Sequence, residues 1–228
     1  MNNKNGNQKA AIGVASDAFS LIRAVKEVIV ILPLRAQDML LSRFGINQKR
    51  PLTLEEIGKK YGVTRERVRQ IIRESLKKIK SIKNNQIIES INEKVQFTIA
   101  QNGGIMKESD LLESVAGKST GEKGALKLFL EGNDEIELIE ETEDVEAVYV
   151  VKGFSFDKLE KTVAKVKEIL QSLNEAIVID KILEKSGDGE FLNEKDVSVN
   201  FLSVSKKIVK NNFRQKEPSN CVWMAPLP

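Results

Sequence analysis

The sequence predicts a mainly α-helical protein with small β hairpins: an N-terminal helix-turn-helix followed by tandem winged-helix modules. Three observations predict this. A short helix, a glycine turn and a capped longer helix follow one another between Thr53 and Lys80. Past Asn84, apolar patterns of helical period alternate twice with short β-branched runs, in the order helix, strand, helix, helix, strand. Aromatic residues make up only 5% of the 228, which favours small helical modules over a sandwich or a large enzyme barrel. The divisions expected are a disordered polar tail at 1–15, the helix-turn-helix domain at 16–83, an acidic winged helix at 84–153 and a second at 154–228.

Each element has its own signal. Phe19, Ile22, Val25, Val28/Ile29 and Leu32 keep helical spacing, with Asp17 as a cap and Pro33 as the stop. A second helix is expected from Arg35 to Arg43, ended by Gly45. Thr53 and Glu56 form a capping box, opening a short helix that reaches Tyr61. Gly62 makes the turn. Thr64 caps the next helix, whose apolar residues Val68, Ile71, Ile72, Leu76 and Ile79 run on to Lys80. Helices are then expected at Gln86–Gln101, Glu108–Ala116 and Glu122–Glu131, with strands at Gly104–Met106, Ile136–Ile139 and Ala147–Val151 and a hairpin turn at Thr142–Asp144. The last module repeats the plan: a helix at Asp157–Leu173, a strand at Ala176–Ile179, a helix through Ile182–Leu183, another at Lys195–Asn211, and a strand at Cys221–Met224. Asn102–Leu111 parallels Asn174–Leu183 faintly, at an offset of 72 residues.

Charge divides the chain. Residues 1–83 hold 18 Lys/Arg against 7 Asp/Glu, a net of +11, and residues 84–228 hold 18 against 26, a net of −8. The basic end suits a polyanion and the acidic end does not. Within the front, residues 47–83 carry 12 Lys/Arg and 4 Asp/Glu, on the helices that the turn presents. Glu131 to Glu146 contains nine acidic residues and no basic one, a surface that would repel a duplex and suits a protein partner or plain solvent. Lys206, Lys207, Lys210, Arg214 and Lys216 form a smaller basic cluster, read as a helix-end charge pattern before a second DNA contact.

Several classes of function are disfavoured. The single Cys221 can make no internal disulfide and reads as a half-buried hydrophobe. With no histidine in the chain, zinc fingers and His-based catalysis drop out. No metal, cofactor or small-molecule ligand is expected. The absence of a phosphate loop, a GxSxG elbow or a Cys–His pair leaves a non-enzyme as the expectation. The alternating Glu135, Glu137 and Glu141 read as the solvent face of a hairpin, not as a Mg2+ site. The longest apolar run, Val28 to Leu34, is far short of the ~20 residues a membrane span needs and contains Pro33. No signal peptide is evident, so a cytoplasmic, nucleoid-associated protein is expected.

The stretch Leu32 to Lys80, LPLRAQDMLLSRFGINQKRPLTLEEIGKKYGVTRERVRQIIRESLKKIK, resembles region 4 of sigma-70-type sigma factors. The RFGI, TLEEIG and VTRERVRQI blocks carry the likeness, over about a fifth of the chain. The resemblance implies that the last helix lies in the major groove of a −35 promoter element, with Arg65, Glu66, Arg69 and Gln70 facing base edges. The chemistry is suitable: Arg bonds guanine O6 and N7 bidentately, Glu accepts from cytosine N4, and Gln suits adenine. It also implies phosphate contacts by Arg35, by Arg43 and by the helix N-terminus at Thr53, Leu54 and Glu55. Arg67, Lys77 and Lys80 add nonspecific attraction, with an intramolecular ion pair an equal alternative for Arg67. The chain departs from the family at Ile72, where a Glu is usual. The 31 residues before the motif cannot hold region 2, the aromatic-rich module that melts the promoter, and nothing later resembles it. A complete initiation factor is therefore not expected.

The acidic modules are similar in arrangement alone to the winged helix of the RNA polymerase delta subunit and related modules of restriction and chromatin proteins. Three functions follow as expectations. The first is a transcription regulator reading promoter-like double-stranded DNA, with RNA polymerase as a candidate second partner. The second is a polymerase-associated accessory factor acting through the acidic modules. The third is the recognition subunit of a DNA-processing or restriction system.

Overall fold

The computed structural model describes residues 20–82, 84–141, 145–173, 177–178, 204, 208–210 and 221–224. The front begins with α1 (Leu21–Val28), followed by a 3-10 turn at Ile29–Ile31. The expected helix to Leu32 is shorter because Leu32 precedes Pro33: that position is barred from helical geometry and is extended here (ψ 151°). The cap is Ser20, whose hydroxyl accepts the Arg23 N–H at 3.3 Å. Asp17 lies outside the described residues. Next come α2 (Leu34–Phe44), ended by Gly45, then α3 (Leu54–Tyr61) and α4 (Arg65–Lys80). The loop between α2 and α3 is tied to buried Ser42, whose carbonyl accepts from Leu52 N (3.0 Å) and whose hydroxyl accepts from Gln48 Nε2 (2.9 Å).

The middle of the chain runs α5 (Gln86–Gln101), β1 (Ile105–Lys107), α6 (Glu108–Ala116), α7 (Thr120–Glu131), β2 (Ile136–Ile139) and β3 (Val148–Val151). The sheet order is β1-β3-β2, antiparallel throughout, with Ile105 opposite Val150 and Ile136 opposite Val151. That is the element order expected for residues 84–153. The expected hairpin turn at 142–144 lies outside the described residues.

In the last third, α8 (Phe156–Leu173) leads to β4 (Ile177–Val178), β5 (Ile208–Lys210) and β6 (Cys221–Met224). Their order β4-β6-β5 again puts the last strand in the centre. One expectation is corrected here: Ile208–Lys210 had been assigned to a helix ending at Asn211, yet it pairs with β6, Val209 opposite Trp223. Strand pairing of a β-branched Ile-Val pair outweighs a weak helical period. The rest of that expected helix and the one through Ile182–Leu183 lie outside the described residues, as do Lys206, Lys207, Arg214 and Lys216 of the basic cluster.

The front and middle share one core. A single hydrophobic cluster contains Val25, Ile29, Met39, Leu40, Ile57 and Val68 together with Ile91, Leu111, Leu126 and Phe129. The joint is α7, which packs on α1, α2 and α5. Two features make the approach close. Glu122 of α7 caps α1, accepting from Ser20 Oγ (2.7 Å), Leu21 N (2.7 Å) and Ile22 N (3.3 Å). Gly124 lies against the end of α2, so near that a Cβ there would stand 2.0 Å from the Phe44 carbonyl oxygen. A smaller cluster on the other side of the sheet gathers Ile105, Val148, Val150, Leu159 and Val204, and Val204 O accepts from Glu146 N at 3.0 Å.

A methyl at position 124 would meet backbone, which no rotamer change relieves. Gly124→Ala gains ~1 kcal/mol of helix propensity, yet should lose a net ~1–3 kcal/mol through overpacking, read as a lower urea midpoint. Gly132→Ala, whose Cβ would approach nothing closer than 3.4 Å, is the control and should stay within about 0.5 kcal/mol of the parent. Equal midpoints for the two variants would mean that the α2–α7 seam is not close-packed.

Candidate nucleic-acid interface

The interface candidate is built from α3, the turn and α4. Thr53 accepts the Glu56 N–H (3.2 Å) while the Glu56 carboxylate accepts the Thr53 N–H (2.8 Å), closing the capping box that the sequence predicted. The N–H groups of Leu54 and Glu55, in the first turn, have no acceptor within the helix. Gly62, in the left-handed region at φ 66°, turns the chain, and Thr64 caps α4 by accepting from Arg67 N at 3.2 Å. Gly58 sits at the crossing, where a side chain would meet the Val63 carbonyl oxygen at 2.6 Å. These contacts set the angle between α3 and α4.

Val68, Ile72, Ser75 and Ile79 bury one face of α4. Its opposite side presents Arg65, Glu66 and Arg69, all exposed, and half-buried Gln70. The four expected base readers thus share the exposed N-terminal end of one helix. Three of them are also linked to one another. Arg69 donates twice to Glu66, at 2.8 and 2.6 Å, and Gln70 Nε2 donates to Glu66 Oε1 at 3.4 Å. The Arg69 hydrogen bond holds the Glu66 carboxyl below its ordinary range, and the same bond raises the Arg69 guanidinium. Arg67 donates to Gln70 Oε1 at 3.2 Å, so its intramolecular bond is to an amide and not the ion pair expected as its alternative. Ile72, where the family usually has Glu, is 8% exposed and belongs to the core.

The expected phosphate contacts are spread around this face. Arg35 donates to the Tyr61 carbonyl oxygen at the end of α3 (2.7 Å) and lies 5.8 Å from the Tyr61 ring centroid. Arg43 donates to the Leu52 carbonyl oxygen (3.2 Å), just ahead of α3. Lys77 is exposed on the last turn of α4. Its neighbour Lys80 pairs with Asp134. A residue the sequence reading missed is Arg50, which forms a two-pronged pair with Glu56 at 3.1 and 2.5 Å and so places a cation at the N-terminus of α3. Nothing in the sequence spacing signals this pair, because it depends on how the loop through Pro51 folds back.

Among the described residues there is no group of three or more His, Cys, Asp or Glu placed to hold a metal ion, and no helix long and apolar enough to cross a membrane. Cys221 stands in β6.

The Glu56 carboxyl is held at about 2, below the ordinary 4.5, first by Arg50 and then by the Thr53 backbone and hydroxyl. A carboxyl lowered in the folded state stabilises fully above its unfolded value and loses that contribution as pH falls through the folded one. Glu56→Gln keeps the capping shape and removes the charge. The variant should therefore melt below the parent at neutral pH, and the gap should close between about pH 4.5 and about 2. A gap that persists unchanged at pH 2 would assign the effect to shape alone.

Two comparisons bear on this geometry. Residues 28–81 match the family described as Sigma-70, region 4. An RNA polymerase sigma factor SigA of a Bacillus species is 39% identical over 74 residues, which cover 32% of this chain and 20% of that protein. The chain thus spans about a fifth of the length of this curated relative. With the capped short helix, the Gly62 turn and the exposed end of α4 in place, residues 28–81 fold as a helix-turn-helix similar to sigma-70 region 4.

Proposed function

We propose that this protein is a sequence-specific DNA-binding transcription protein that reads a −35-like promoter element through α4. The observation that carries the reading is the placement of Arg65, Glu66, Arg69 and Gln70 together at the exposed N-terminal end of the second helix of the motif, the end from which recognition helices contact bases. Mutual hydrogen bonds link Glu66, Arg69 and Gln70 to one another. On DNA, Arg69 and Glu66 exchange each other for guanine and cytosine edges. Arg35, Arg43, Arg67 and Lys77, with the amides of Leu54 and Glu55, fix the register by holding phosphates, whereas the expected Thr53 amide is already taken by the Glu56 carboxylate.

A second partner has its own observation. Val30, Ile31 and Leu34, at the junction of α1 and α2, are 69%, 55% and 79% exposed, an apolar set left uncovered by the shared core. Such a surface suits a protein contact. It favours RNA polymerase as the partner that brings this DNA reader to promoters, or as the principal partner if DNA reading is secondary.

Fluorescence anisotropy of a duplex carrying a TTGACA-type element, against a scrambled duplex and across a salt series, tests the reading. The element should be preferred, and Arg65→Ala or Arg69→Ala should each cost ~1–3 kcal/mol of that preference. Equal binding of both duplexes with a steep salt slope would reduce α4 to a basic anchor. No binding of either would leave the polymerase contact as the surviving reading.

A further inference from the structure

The middle module does more than support region 4: it brings carboxylates to the edge of the DNA-reading surface. A cleft of about 470 Å³ opens between the two modules, with Arg43 and Pro51 on the front wall and Glu108, Lys127, Glu131 and Glu137 on the back. Arg43 and Pro51 belong to the end of α2 and to the loop that leads into α3, next to the amides expected to meet phosphate. The back wall comes from α6, α7 and β2. Its one cation is already occupied, since Lys127 pairs with Glu108 at 2.9 Å. Burial raises the Glu131 carboxyl while the charges of Arg43 and Lys127 act to lower it, so Glu131 and Arg43 feel each other across the cleft, and Glu137 lines the same wall. Two carboxylates of this wall act on one group: Glu108 and Glu131 both raise the hydroxyl of buried Tyr149, after burial itself.

A second contact repeats the pattern at the other end of the motif. Asp134, in the turn between α7 and β2, pairs with Lys80, the last residue of α4. Basic residues at both ends of the helix-turn-helix are therefore faced by carboxylates of one short acidic segment. Residues 131–146 carry nine acidic side chains and no basic one. The position is not left to chance, because Gly124 and Glu122 on the same α7 clamp the module against α2 and α1. A duplex phosphate approaching Arg43 would enter the field of Glu131 and Glu137. Repulsion between charges closer than the Debye length, about 10 Å at 0.1 M salt, is only partly screened.

We propose that the acidic segment from Glu131 to Glu137 is an intramolecular brake on DNA binding: it screens Arg43 and Lys80 in the free protein and lowers affinity for any duplex, whatever its sequence. The proposal rests on the DNA-reading function above. The brake acts on the phosphate contacts and leaves the base readers at the N-terminal end of α4 untouched, so it sets how tightly the protein binds and not which sequence it prefers.

The test is duplex anisotropy with the full chain and the double variant Glu131→Gln/Glu137→Gln. A control, Glu160→Gln/Glu168→Gln, removes the same charge from exposed positions on α8. Circular dichroism melts check that all three fold alike. The first variant should bind both the −35-like and the scrambled duplex about 3–10-fold tighter at ~50 mM salt, with the gain shrinking as salt rises. The control should match the parent. If all three bind the element alike, the brake is wrong while the DNA-reading function stands. If the control gains as much as the variant, net charge and not the cleft is responsible, and the brake is again wrong. If none binds any duplex at any salt, the brake and the DNA-reading function fall together.

Discussion

Everything else in the front of this molecule hangs on the close packing of α7 against α1 and α2. A helix can approach the end of another at backbone distance only if it offers no side chain there, and Gly124 supplies that gap beside the Phe44 carbonyl. Glu122, two residues away, then reaches the first N–H groups of α1. Those donors would otherwise stay unsatisfied in a partly buried site, where a charged acceptor is worth more than a neutral one. Shape and electrostatics thus act at the same place, and the hydrophobic cluster runs through the joint without a break.

The consequence for α7 is that it serves as a seam. In the element order of the middle module, α7 is the helix before the hairpin, the position from which winged helices that bind DNA insert into a groove. Here Gly124, Ala125, Leu126, Leu128, Phe129 and Leu130 are buried, and the helix packs on α1, α2 and α5. Together with the carboxylates of residues 131–141, this makes α7 unsuited to meeting a polyanion. The charge division has a structural counterpart: the basic module presents α4 outward, and the acidic module is held against its flank.

The N-terminal end of α4 owes its exposure to the same division of faces. Val68, Ile72 and Ile79 tie the helix to the core. The capping box on α3, the Gly62 turn and the close crossing at Gly58 hold the two helices at a set angle. A polar network on an exposed helix end contributes little to stability, since surface ion pairs are worth ~0–1 kcal/mol. Glu66, Arg69, Gln70 and Arg67 instead form a linked polar set at the exposed end of the helix.

What the sequence determined by itself was local. The bounds of α5 and α6, the caps at Thr53 and Thr64, the stop at Gly45 and the turn at Gly62 all follow from periodicity and turn chemistry that act over a few residues. The sigma-like blocks placed Arg65, Glu66, Arg69 and Gln70 on one helix end because helical geometry converts their spacing directly into a shared face. Other features were beyond its reach. The Arg50–Glu56 pair depends on a loop path, the strand at Ile208–Lys210 depends on a partner strand, and the Glu122 cap on α1 spans about a hundred residues of chain. Only the tertiary structure decided that the acidic module lies against the basic one, because that arrangement comes from shape matching between distant surfaces. A sequence records the charges of those surfaces, but their proximity arises only when the chain closes on itself.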